Sequence, residues 1–490
     1  MSGSAAPLAA PRDVRAPRAA RLGVAGAGAL LALLAALSTR TDAGPVVPLL
    51  AVLGLLLFLP HVVAALEGRW TAFHPLVIFT AFCFFGYFLR SMHLVWHEKL
   101  NLYHILVDRP TALDLLARGL LVVILGVCGF YLGYASPQAA SLGARLPVPR
   151  SRWSVRRVRA LSLLFTTIGA ASYAAYAHAA GGLIFLATNM ELRSELSAGM
   201  HLYFFGIRFL ELGLLFRYVG HLRGRAGRLR RFSLAIHALA VMVAVGLLGS
   251  RAWAMEVLFM MLVVRAAMLR PPRLRTLAIV VASGLFLFSV YDQYRNLTHH
   301  GFRASEAKEI SVGSATAVYD GVLGGRNFDM MDNLLSVLWY TPDRLPFLLG
   351  SSYLHFFVNF VPRGLWPGKP KGIDSILAEK IYGWAMGGAP PGTIGELYFN
   401  FQFAGVVVGM ALFGALVRVA WTYSKRERRH PFLALFLGAT LVFVGMVTRG
   451  SFFQVGSTWA MRIVPIFLGS LLVRAGRPHG GTRPREATSR

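Results

Sequence analysis

The chain has 490 residues, of which 56% are hydrophobic and only 15% charged, and its mean hydropathy is +0.56. Soluble domains carry about 25% charged residues, so an ordinary soluble globular protein is excluded. The formal charge of +28 invites a nucleic-acid reading, but its distribution follows membrane topology, and no nucleic-acid partner is expected.

The fold class predicted is an all-α polytopic membrane protein. A spanning helix takes roughly 20 mostly apolar residues. Twelve runs are candidates, near 22–38, 46–66, 73–89, 113–135, 159–180, 202–219, 232–249, 252–269, 276–290, 397–417, 432–448 and 456–473. A basic tail, 1–21, precedes them. The first run reads as an uncleaved anchor, because no clean small-x-small cleavage site follows it. The predicted organisation is nine spans over 22–290, a large loop over 291–395, three spans over 396–473 and a second basic tail over 474–490. Cys83 and Cys128 lie inside apolar runs and read as small buried hydrophobes, not as a disulfide or metal pair.

Alternating the spans from a cytoplasmic N-terminus puts 31 of the 50 basic residues on the inner side. The outer side and its span halves then hold 19 basic and 17 acidic residues, nearly neutral. This is the positive-inside pattern, and it predicts both termini in the cytoplasm of a cell whose cytoplasmic membrane the chain crosses many times. The Arg, Ala and Gly excess suggests GC-rich coding and a bacterial source.

Most loops are short. The exception, 291–395, falls on the outer side, and a loop of that length is usually functional. Asp332 to Tyr340 reads as a helix. Ser352 to Val361 is apolar and aromatic but too short to span, and reads as re-entrant or interfacial. Asp374 to Trp384 reads as a short amphipathic helix that Asp374 can cap. Gly387, Gly388, Pro390, Pro391 and Gly392 form a hinge-like turn before the tenth span.

Charged residues within spans are functional candidates by default. Arg118, Arg208, Glu211, Arg251, Glu256 and Arg462 all fall in outer halves, a bias that an outward-facing polar cavity would explain. The plainer alternative is pairing, above all for Arg208 and Glu211, three apart on one helix face. Four outer-face arginines, Arg193, Arg251, Arg295 and Arg363, with Lys369 close behind the last, suit a phosphate or diphosphate head group, because guanidinium offers a planar donor fork. Binding of anionic lipid heads is the alternative for any one of them. No H-E-x-x-H, P-loop, Rossmann glycine run or metal-ligand histidine spacing occurs, so a site without cofactor or metal is expected.

Three stretches carry a family resemblance: GGLIFLATNMELRSEL (181–196), GSRAWAMEVLFMMLVVR (249–265), and FVPRGLWPGKP (360–370) followed by GAPPGTIGELYFNFQFAGVVVGMALFG (388–414). With these, the chain resembles the Wzy-type O-antigen and exopolysaccharide repeat-unit polymerases. One departure is Gln402-Phe403-Ala404, where the family often has glycine after Asn-Phe. The resemblance implies a GT-C-like membrane glycosyltransferase architecture. It also implies an undecaprenyl-diphosphate-linked oligosaccharide as substrate, membrane lipids around the site and a chain-length regulator protein as a partner. The reaction implied moves a growing glycan from its lipid carrier to the next lipid-linked unit. Glu396 is then the general base or its orienter, with His355 as the alternative, and Arg193, Arg251, Arg295, Arg363 and Lys369 hold the diphosphate. An O-antigen ligase is the nearest alternative. A lipid-linked oligosaccharide transporter is a more distant one, because the two halves of the chain show no repeat.

Overall fold

The computed structural model describes residues 43–96, 105, 107–149, 153–189, 196, 200–224, 227–273, 275–279, 282–284, 328–358, 361, 365–366, 368–384, 388–427 and 429–474. Among these residues every regular element is helical, and an isolated β-bridge pairs Trp153 with Arg474. The long helices are α1 (Val46–Leu66), α2 (Pro75–Trp96), α3 (Arg109–Tyr134), and, after the short α4 (Pro137–Arg145), α5 (Val155–Ala179). Then follow α6 (Leu183–Thr188), α7 (His201–Arg223), α8 (Arg228–Leu247) and α9 (Arg251–Met268). The loop region contributes α10 (Met330–Tyr340), α11 (Ser351–Val358) and α12 (Ile373–Lys380). The chain closes with α13 (Gly392–Ser424), α14 (Pro431–Arg449) and α15 (Phe452–Leu472).

Eight of these helices, α1, α2, α3, α5, α8, α13, α14 and α15, are long and apolar enough to cross a membrane. The protein is thus a multi-pass helical membrane protein. Of the twelve expected spans, the first lies outside the described residues and the ninth mostly so. The sixth and eighth correspond to α7 and α9, which are long but charged.

α14 is the central post. In its most apolar stretch 83% of residues are buried, against 17% for α8. Its Val444 and Val447 join the apolar core made by α1, α2, α3, α10, α12 and α13. Its first half packs into a second core with α5, α7, α9 and α15. α3 and α13 meet through glycines, since a Cβ on Gly133 would strike the Ala411 carbonyl and one on Gly414 the Phe130 carbonyl. Small residues on both helices allow that backbone approach, a usual packing device within membranes.

Helix ends alternate between two faces. At the basic face, Ser154 N–H donates to the Val473 carbonyl (2.8 Å), Arg157 to the Arg474 carbonyl (2.7 Å) and Tyr423 to the Pro147 carbonyl (3.0 Å). At the opposite face, Arg109 donates to the Val95 carbonyl (3.4 Å) and Thr393 to that of Val447 (2.5 Å). The loop helices α10, α11 and α12 pack at this second face.

Two local features set the site. A π-helical turn, Phe84–Leu89, interrupts α2 just before Arg90; single π turns of this kind often mark functional positions. α13 kinks at Phe401 and Gln402, and Gln402 holds φ +54° and ψ −148°, a region that only glycine occupies freely.

Candidate functional site

The site is built around the start of α15. Glu396, in the first turns of α13, is fully buried. Ser352 Oγ donates to its Oε1 (2.7 Å) and Phe452 N–H to its Oε2 (2.6 Å). Asn400, one turn on, donates through Nδ2 to Ser352 Oγ (2.9 Å) and to the Glu396 carbonyl (2.7 Å). Its Oδ1 accepts from Gly350 N–H (2.8 Å). Glu396 and Asn400 therefore clamp α11 to α13 and to the first turn of α15. The carboxylate also faces the positive end of the α15 dipole. With one hydrogen bond to each oxygen, Glu396 in this arrangement positions its neighbours.

Asp374 holds the same turn from the other side. Gly372 is the N-cap of α12, and Asp374 sits in the helix's first turn, so the expected capping role passes to Gly372 and α12 stops at Lys380. Asp374 Oδ2 accepts from Ser451 Oγ (2.9 Å), while Oδ1 is buried without a partner. Burial pushes this carboxyl up to about 7, against the opposing pull of the Ser451 hydroxyl and its own backbone N–H.

His355 lies three residues beyond Ser352 on α11, with its ring 6.0 Å from that of Phe453. Its ring nitrogens are screened from solvent and make no well-formed hydrogen bond. Burial lowers its pKa, the Ser351 backbone opposes this, and the Lys369 charge adds to the lowering. Lys369 is buried and donates to the Val361 carbonyl (3.1 Å). Glu396, His355 and Lys369 are thus gathered in one place. Arg193, Arg295 and Arg363 lie outside the described residues. Arg251 is the first residue of α9, and its side chain is not described.

A second polar cluster accounts for the charges within the spans. Arg462 donates from Nε to Glu211 Oε1 (2.7 Å) and from Nη2 to Glu211 Oε2 (3.3 Å), and it also contacts Glu256. Arg208 reaches Glu211 at 3.3 Å and Glu256 at 3.7 Å, and stacks 3.7 Å over the Trp253 ring, whose Nε1 donates to Glu211 Oε2 (2.8 Å). Two arginines and two glutamates neutralise one another. Pairing, rather than an outward-facing cavity, explains these four, and Arg118 pairs with Asp114 at 2.8 Å. A third buried pair, Arg90 with Asp332 (2.7 and 2.9 Å), ties α2 to α10.

Arg449 and Asp329 were missed by the sequence reading. Arg449 ends α14, two residues before the Ser451-Phe452 turn, and its Nε is buried without a hydrogen-bond partner. Asp329 and Glu256 are the acids that act on it electrostatically. Asp329 is pushed up to about 6 by burial, Arg449 pulling it down and Asp332 pushing it further up. Nothing local sets it apart: Arg449 directly follows the apolar run 432–448. Among the described residues no group of three or more His, Cys, Asp or Glu is placed to hold a metal ion.

Compared with protein-family models, with curated proteins and with solved structures, the chain matches none.

Proposed function

We propose that the chain is a membrane glycosyltransferase that polymerises lipid-linked oligosaccharide repeat units on the outer face of a bacterial cytoplasmic membrane, with both termini inside. The observation that carries this reading is convergence. Glu396 and Asn400 of the Gly-Glu-Leu-Tyr-Phe-Asn stretch hold the helix bearing His355, and the Lys369 of the Trp-Pro-Gly-Lys-Pro stretch acts on that same histidine. The resemblance rests on both stretches, and the glycine-type backbone at Gln402 is consistent with it. Twelve spans and a GT-C-like arrangement belong to this proposal.

In the reaction, the acceptor hydroxyl oxygen forms a bond to the anomeric carbon of the growing chain. The bond from that carbon to undecaprenyl diphosphate breaks, and the electron pair leaves on the diphosphate oxygen. Arg193, Arg251, Arg295, Arg363 and Lys369 stabilise that charge by charge-assisted hydrogen bonds. Arg449 lies at the same face and extends this set. The acceptor proton goes to His355, which carries no well-formed hydrogen bond, or to Glu396, whose present role is to hold α11 and α15 in place. Neither step calls for a metal. A chain-length regulator is the expected protein partner.

The test is reconstitution. Purified protein in liposomes, given lipid-linked repeat units, should yield a ladder of longer lipid-linked glycans, and should do so in the presence of EDTA. Transfer only to a lipid-A core acceptor would establish a ligase instead. Movement of units across the bilayer without elongation would establish a transporter.

A further inference from the structure

The basic face carries a cleft that plays no part in the reaction above. It has a volume of about 920 Å³ and lies where α9 ends and α13 turns into α14. Three cations, Arg270, Lys425 and Arg429, line it together with a single acid, Glu427. Its inner wall is apolar, from Ala266 and Ala267 on α9 and the exposed Leu269 just after it, with the buried Leu433 and Leu437 of α14 behind them. Lys425 is held 4.1 Å over the ring of Trp421, which itself packs at 4.6 Å on His74. Arg429 takes a left-handed backbone, φ +62°, in the turn between α13 and α14. Among the described residues neither Arg270 nor Arg429 has an ion-pair partner. His430 fixes the wall through a 2.6 Å contact with the Pro149 carbonyl.

This combination selects one kind of occupant. A soluble anion would use the cationic rim but leave the apolar wall in water. An acyl chain alone would leave Arg270 and Arg429 unmatched. The rim stands where three long helices reach their basic ends, so its charges lie at the level of lipid phosphates and the wall at the level of the first methylenes. Basic pockets between spanning helices at the positive face are suited to anionic head groups, and the volume is within the range of small-molecule sites. We propose that the cleft binds one anionic phospholipid of the leaflet at the basic face. Its phosphodiester would lie against Arg270, Lys425 and Arg429 and its acyl chains against the α9–α14 wall.

The experiment is native mass spectrometry of the full-length detergent-purified protein, titrated with phosphatidylglycerol or phosphatidylethanolamine. Phosphatidylglycerol should be retained preferentially. The double variant Arg270→Gln/Arg429→Gln should bind it about thirtyfold more weakly, two basic residues being lost. Arg228→Gln/Arg230→Gln, which removes two exposed charges from the same face outside the cleft, should bind as the unaltered protein does. Ala267→Phe keeps every charge and fills the cleft, and it too should lose the lipid. It also serves if the double variant fails to fold. Equal retention of both lipids, or equal loss in the two double variants, would overturn the proposal. So would displacement of the lipid by millimolar glycerol phosphate, which would point to a soluble phosphate ligand. None of these outcomes depends on glycan polymerisation.

Discussion

Arg462 on α15 and Glu211 on α7 stand 251 positions apart in the chain and meet through a 2.7 Å bond from Nε to Oε1, both side chains fully withdrawn from solvent. The pair, with Arg208 and Glu256, is a buried network with no net charge. Such a network contributes little over an apolar packing of equal volume, but breaking it by removing one member leaves an uncompensated buried charge.

Arg462→Met should therefore lower stability by about 3–5 kcal/mol, read as a fall in the thermal midpoint in detergent. Arg462→Lys should recover only part of this, because Lys cannot span two carboxylates with a planar fork. Full stability in Arg462→Met would show that the network is not formed in solution.

Gln402→Gly should raise stability by about 1 kcal/mol or more, because Gln402 sits at φ +54° and ψ −148°, where a side chain carries a cost of about 1–3 kcal/mol. The same thermal measurement checks it. A destabilised glycine variant would mean that the kink is relaxed in the membrane.

Asp374 should give the protein a pH-dependent stability. Its folded carboxyl titrates near 7, above its ordinary 3.8. The folded state thus binds more protons than the unfolded state between these values. Stability falls as pH rises through that window, by at most about 1.4 kcal/mol per pH unit, and levels off above it. Asp374→Asn should reduce the slope between pH 4 and 7, leaving the part due to Asp329, and keep the Ser451 contact, since an amide oxygen still accepts. Thermal midpoints of both proteins across pH 4–8 test this, and an unchanged slope in the variant would assign the dependence to another group.

Alanine at Arg193, Arg251, Arg295 or Arg363 should each reduce polymer formation by roughly 1.5–3 kcal/mol of lost charge-assisted bonding, about ten- to hundredfold in rate. Lysine at these positions should not restore full activity. Glu396→Gln and His355→Phe separate the proton acceptor from its support. The acceptor should lose turnover with little change in donor affinity, whereas the support should also lose thermal stability. Wild-type ladders from all four arginine variants would place the diphosphate elsewhere.

Cysteine introduced at Ser305 or Ser375, with Cys83 and Cys128 replaced, should react with an impermeant thiol reagent added to intact cells from the periplasmic side. Reaction only after lysis would invert the topology.

The sequence by itself determined the class of protein. Hydropathy is a sum over long stretches, and a bilayer acts on such sums directly. Most spans, the helix near Asp332 and the short apolar segment at Ser352 were legible for that reason. Glu396 stands out in the sequence from its place beside the Gly/Pro turn, and the structure buries it fully. Its partners were not legible there. That Ser352 and the Phe452 amide would meet on one carboxylate, with Asn400 holding Ser352, depends on how α11, α13 and α15 pack, and no local spacing encodes it. The same holds for Asp374, which local pattern assigned to its own helix and tertiary packing turned to Ser451. It holds equally for Arg449, which directly follows an apolar run. Lone polar residues in apolar helices must find partners, because unpaired burial is costly, but only the assembled bundle decides which partner each one finds.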